Sequence, residues 1–179
     1  MSFPIPAILE NEKLKLIQLQ QDDFERLYKV ASDPEIWAQH PNPDRYKRDV
    51  FGNFFKGAIE SKGAYLVLDK KNNDVLGSTR FYDYDADDKS VLIGYTFYGR
   101  NSWGKKINPA VKKLMLDYAF QYVDKVIFHV GKENIRSQIA IERLGAIKTG
   151  EEEIAYFGET PKTNVIYTIS AQQWTLSGT

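Results

Sequence analysis

Trp103, Gly104, Lys105, Lys106, Ile107 and Asn108 follow closely on the β-rich run Val91–Tyr98 and open an amphipathic stretch. A strand, a short turn with a glycine and two lysines, then a helix start presents free backbone N–H groups and a partial positive charge, and together these attract phosphate. An ordinary strand–helix connection with solvated lysines has the same composition. Asn134 and Ser137 lie three apart and share one face of a second helical stretch. Asparagine suits a helix N-cap there, which the residues alone favour, and the pair also suits polar contact with a ligand. Cysteine is absent, so disulfides, thiolate metal sites and thiol nucleophiles are excluded, and His40 and His129 are the only imidazoles. No metal site is expected.

These groups need a scaffold. The 179 residues are 42% hydrophobic and 13% aromatic, enough for a substantial core in one domain spanning 1–179. A formal net charge of zero argues against nucleic-acid binding. Neither a signal peptide nor a stretch long enough for a membrane span is read, so the expected location is cytoplasmic.

Lys13–Gln20 alternates as a strand, and Gln21–Ala31 has the spacing of a helix. Asp33-Pro34 opens a short turn or helix through Trp37, His40–Asp44 is a loop, and Val50–Ser61 is helical with an aromatic stripe. Ala64–Asp69, Val75–Tyr84 and Val91–Tyr98 are strands joined by polar turns, which predicts an antiparallel meander. A helix from about Asn108 to Tyr122 holds Pro109 in its first turn, and Lys112 reads as a solvated charge on it. Lys125–Val130 is a strand, Glu133–Leu144 a helix capped by Gly145, and Ala146–Phe157 and Thr163–Ser170 are closing strands connected by Gly158–Lys162. The order predicts an α/β (mixed α+β) fold: a mixed, mostly antiparallel sheet of about seven strands with helices on both faces.

Three segments in this order resemble the GCN5-related N-acetyltransferases, and among them the ribosomal-protein N-terminal acetyltransferases. They are Ile93-Gly94-Tyr95-Thr96-Phe97-Tyr98 running on to Trp103-Gly104-Lys105-Lys106-Ile107-Asn108, the stretch Asn134 to Ala146 ending Leu144-Gly145-Ala146, and the closing Val165 to Ser170 with Trp174 beyond. Lys106 stands where the family loop usually has glycine, Leu92 where relatives often have glutamate, and Ile141 where relatives outside this branch frequently have a tyrosine acid. A left-handed backbone at 106 would make a Cβ costly.

The resemblance implies transfer of an acetyl group from acetyl-CoA to a primary amine, on a small molecule or a protein N-terminus, by direct attack in a ternary complex. It implies splayed fourth and fifth strands, the pyrophosphate on Trp103–Asn108 and the pantetheine arm on Thr96, Phe97 and Tyr98. The backbone amide near Phe97 and Tyr98 would face the thioester oxygen, Asn134 and Ser137 would touch the CoA arm, and Ser137 would give the departing thiolate its proton. Trp37, Arg80, Tyr82 and Tyr95 would line the acceptor pocket. As alternatives, Trp37 and Tyr82 suit a core and Arg80 a surface ion pair. Relatives often dimerise, so a homodimer is possible. No residue stands out as general base. A CoA-binding module without catalysis is the alternative, and the departures at Leu92, Lys106 and Ile141 feed it.

Overall fold

The computed structural model describes residues 2–155 and 159–176. One eight-stranded sheet runs in the order β1-β2-β3-β4-β5-β6-β8-β7. Its strands are β1 (Ile8–Glu10), β2 (Leu14–Gln18), β3 (Ala64–Asp69), β4 (Val75–Asp85), β5 (Ser90–Tyr98), β6 (Lys125–Gly131), β7 (Ile147–Ile154) and β8 (Lys162–Ser170). The helices are α1 (Phe24–Ala31), α2 (Arg48–Glu60), α3 (Ile107–Ala119), α4 (Ile135–Glu142) and α5 (Ala171–Leu176).

The meander β3-β4-β5 is antiparallel as its polar turns require, and β5 and β6 form a parallel pair. The strand beyond the expected seven is β1, three residues in a proline-rich segment, too short to show alternation. It gains its place by antiparallel pairing with β2. Helix α5 was likewise unexpected, whereas Trp174 within it is buried and donates to the Asp117 carboxylate at 2.8 Å. The expected end of β7 at Tyr156 and Phe157, and Gly158 of the connection, lie outside the described residues.

Strand β3 explains the layers. Its side chains are buried on both faces, so the strand reads as a continuous apolar run. Tyr65 and Val67 join a core formed with Val111, Met115, Leu116 and Ala119 of α3, Ile141 of α4 and Trp174 of α5. Ala64, Leu66 and Leu68 join the opposite core, with Leu27 and Ala31 of α1 and Phe51, Phe54 and Phe55 of α2. Each large apolar side chain withdrawn from water is worth about 1.5–3 kcal/mol. The same two layers give the site its two chemically different walls.

Candidate active site

Strand β5 is paired with β6 only from Ser90 to Leu92, opposite Lys125 to Ile127. Beyond Leu92 the two strands separate, β6 continuing against β8 as far as Gly131. Backbone groups on that edge of β5 therefore face a gap. The break coincides with a bulge: Ser78 pairs with Phe97 and Arg80 with Gly94, so two steps along β4 match three along β5. Tyr95 absorbs the extra residue with φ +52°, a strained conformation for a bulky side chain. A cavity of about 470 Å³ fills the opening, lined by Ile93–Tyr98 on one side and Phe128–Gly131 on the other.

At the end of β5 the chain makes a short 3₁₀ turn, Arg100–Ser102, and enters α3 through two left-handed residues, Gly104 (φ +73°) and Lys106 (φ +58°). Lys106 thus carries the backbone conformation that favours glycine, at a cost of about 1 kcal/mol. The turn aims the start of α3 at the cavity. The Lys106 carbonyl accepts from the Ala110 N–H, Pro109 has none to offer, and the N–H groups of Ile107 and Asn108 precede the first intrahelical bond. Trp103, Gly104, Lys106, Ile107 and Asn108 line the cavity, whereas Lys105 is exposed outside that lining.

Helix α4 supplies the facing wall. Asn134 is its N-cap, with Oδ1 accepting from the Ser137 N–H at 3.2 Å. Capping leaves the Asn134 amide NH₂ and the Ser137 hydroxyl to the cavity that both residues line. Arg136 and Arg143 line it too, Arg136 lying 4.2 Å over the Trp103 ring and donating to the Ile36 carbonyl at 3.2 Å.

The two faces of the sheet then diverge in chemistry. Toward α1 and α2, Trp37, Tyr82 and Tyr95 line the cavity, with the Tyr82 and Tyr95 rings edge to face at 4.9 Å between centroids. His129 lines the same wall, 6.4 Å from the Tyr82 ring, and its buried Nδ1 has no partner among the described residues. Burial lowers its pKa, so the imidazole is neutral at pH 7. Arg80 is not at the surface and does not line the cavity. It lies beneath Tyr95, its guanidinium 3.9 Å over that ring and donating to the Gly57 carbonyl at 3.2 Å, and burial lowers its pKa to about 10.

Toward α3, Lys112 is not the solvated charge its sequence suggests. It is 2% exposed and lines the cavity, with Nζ donating to Thr96 Oγ1 at 2.6 Å and Thr79 Oγ1 at 3.2 Å. Burial alone lowers its pKa to about 7. Lys112 lies three residues before Met115 and four before Leu116, on the buried stripe of α3. A lysine in register with the apolar stripe was the signal available in the sequence. Tyr98 also packs on this side; its buried hydroxyl has no partner among the described residues, and burial raises its pKa.

Arg45 carried no comparable signal. It sits in a 3₁₀ turn, Pro43–Tyr46, where a loop was expected nearby, and it is 1% exposed. Its Nε donates to the Glu159 carboxylate at 2.8 Å, and Nη1 lies 3.1 Å from His40 Nε2. Burial and the neighbouring Arg45 charge hold the His40 pKa well below its usual value. Arg45, Lys106, Lys112, Arg136 and Arg143 all line the cavity, and no carboxylate does among the described residues. A strand edge with free donors, a helix start and these cations fit a long anionic thioester.

Comparison with known proteins agrees. A GCN5-related N-acetyltransferase from Brucella melitensis is 18% identical and superposes with a TM-score of 0.82 over 96% of this chain and 83% of that one. A GNAT-family acetyltransferase from Bacillus anthracis gives 17% identity and a TM-score of 0.69 over 92% and 99%. The spermidine N-acetyltransferase from Vibrio cholerae, solved with CoA and spermine, gives the same 17%, 0.69, 92% and 99%. The profile of the acetyltransferase (GNAT) domain matches residues 13–147, and the chain belongs to that family of acetyl-CoA-dependent acetyltransferases.

Proposed function

We propose that this enzyme acetylates a primary amine on an acceptor that is not polycationic, by direct attack on acetyl-CoA in a ternary complex. The observation that carries the reading is the opening between β5 and β6, continuous with the left-handed turn into α3. The backbone of Gly104–Asn108 and the Lys106 charge would hold the pyrophosphate, with Arg136 alongside. The open edge of β5 at Thr96–Tyr98 would pair with the pantetheine arm as a strand would and donate an N–H to the oxygen that gains charge.

The acceptor would enter between Trp37, Tyr82 and Tyr95. An alkylamine with a pKa near ~10 must lose a proton before it attacks. His129, neutral and with an unpartnered Nδ1 beside Tyr82, is suited to take it. Among the described residues no carboxylate lines the cavity, and Glu159 beside it is paired with the buried Arg45, which weighs against a polyamine that would need anions to meet its charges.

The test pairs calorimetric titration of acetyl-CoA with an amine panel. Micromolar binding, weakened about tenfold by Lys106→Glu, together with turnover of neutral or carboxylate-bearing amines in preference to spermidine, is the expected result. Absence of acetyl-CoA binding would overturn the reading. Binding without turnover of any amine would indicate a CoA-binding module, and spermidine as preferred acceptor would overturn the acceptor class.

A further inference from the structure

We propose that Lys112 is the proton donor to the thiolate that leaves when the acetyl group is transferred, an inference that rests on the acetyl-CoA position given above. An ammonium group buried against two hydroxyls is expensive, and an apolar side chain would fill the same place without that cost. Among the described residues no carboxylate lies within ion-pair distance of Lys112, so charge balance within the fold does not explain it. What the fold does explain is its position. Nζ is anchored on Thr96, next to the strained Tyr95 on the stretch of β5 that has already parted from β6, and Lys112 lines the cavity there.

Thr79 and Thr96 fix Nζ as a pair, their hydroxyls 2.8 Å apart. As an ammonium, Lys112 donates to both and retains one N–H directed elsewhere; as an amine, it still donates to both and keeps its lone pair. The two-hydroxyl cradle therefore serves both protonation states. The other titratable or charged groups lining the cavity are Tyr98 of β5, Arg136 of α4, Arg143 just after it, Lys106, and on the opposite wall His40, Arg45, Tyr82, Tyr95 and His129. None is a carboxylate, which agrees with a Lys112 pKa lowered by burial.

The sides of the sheet divide the labour. Trp37, Tyr82, Tyr95 and His129 are on the α1 and α2 side, and Lys112 is on the α3 side. An amine arriving from the first side forms the C–N bond with its lone pair. The C–S bond breaks with its electron pair moving to sulfur, and sulfur takes a proton from Nζ. Lys112 is left as a neutral amine and regains a proton from water. The acceptor ammonium gives up two protons in all, one balancing that taken by sulfur and one released to solvent. Ile141 on α4 carries no proton to give, and the Ser137 hydroxyl is a far weaker acid than an ammonium.

The decisive readout is the ionisation of bound CoA itself, followed by thiolate ultraviolet absorbance across a pH series. In complex with wild type, the thiol should ionise at least one pH unit below free CoA, because Lys112 stabilises the thiolate. Lys112→Met should abolish that shift, Lys112→Arg should retain part of it, and Lys112→Met should lower kcat about 100-fold while the calorimetric Kd for CoA stays within about threefold. An unchanged thiol titration in Lys112→Met, with CoA still bound, would overturn the assignment to Lys112 and leave the acetyl-CoA site standing. Acetyl found on Lys112 itself by mass spectrometry would also overturn it, making the side chain an acceptor. Failure of wild type to bind CoA would remove the parent reading, and this one with it.

Discussion

Replacing Lys112 by methionine should make the protein more stable while making it a worse enzyme. Burial lowers the Lys112 pKa from 10.5 to about 7. At about 1.36 kcal/mol per unit, that difference caps the cost of the charge at roughly 5 kcal/mol when the pH is below 7. Relaxation and water entry reduce the realised figure, and methionine fills the volume while Thr79 and Thr96 keep their mutual bond. A gain of about 2–3 kcal/mol at pH 7 is the working value, or a rise of about 4–12 °C in Tm. The pH dependence is the sharper test. Between the folded and unfolded pKa values the unfolded chain binds the extra proton, so wild-type stability climbs as pH rises from 7 toward 10.5. The advantage of Lys112→Met should therefore shrink steadily with pH. Urea denaturation of both proteins from pH 6 to 9.5 stays below the tyrosine range. A variant less stable than wild type at pH 7, or a stability difference that does not change with pH, would refute the reasoning.

Other substitutions probe separate parts of the account. Gly77→Ala should cost about 3 kcal/mol and impair acetyl-CoA binding, because its Cβ would lie 2.0 Å from the Phe97 carbonyl oxygen on β5; thermal melts and calorimetry check both. Glu159→Gln should destabilise by about 3 kcal/mol in urea titrations, since it removes the carboxylate charge paired with the buried Arg45 guanidinium. His129→Gln should lower kcat/KM about 100-fold, and the acid limb expected of wild type below pH 6.5, the direction of the lowered His129 pKa, should be missing from its pH–rate profile. Lys106→Gly relieves the left-handed strain at φ +58° but frees more unfolded-state entropy, so the melting temperature should barely move while acetyl-CoA binding weakens.

Local pattern and turn chemistry were readable along the chain: the β3–β5 meander with its polar turns, the turn ahead of α3, and Asn134 capping α4. Features created by long-range register were not. The bulge at Tyr95 exists only because β5 has one residue more than β4 across that stretch, and Tyr95 itself is an ordinary strand former. Lys112 owes its environment to hydroxyls 33 and 16 residues away, on β4 and β5. Arg80 was expected in the acceptor pocket, or else in a surface ion pair, because the fold that stacks it beneath Tyr95 cannot be seen from its neighbours in sequence.

Acetyl-CoA is proposed to lie along the open edge of β5 with its phosphates at the start of α3. Amide NMR spectra recorded while acetyl-CoA is titrated into the protein test it directly. The largest shifts should fall on Thr96–Tyr98, Gly104–Asn108 and Asn134–Ser137, with β1 and β2 unmoved. Saturable shifts centred elsewhere, leaving Thr96–Tyr98 and Gly104–Asn108 unperturbed, would contradict the account.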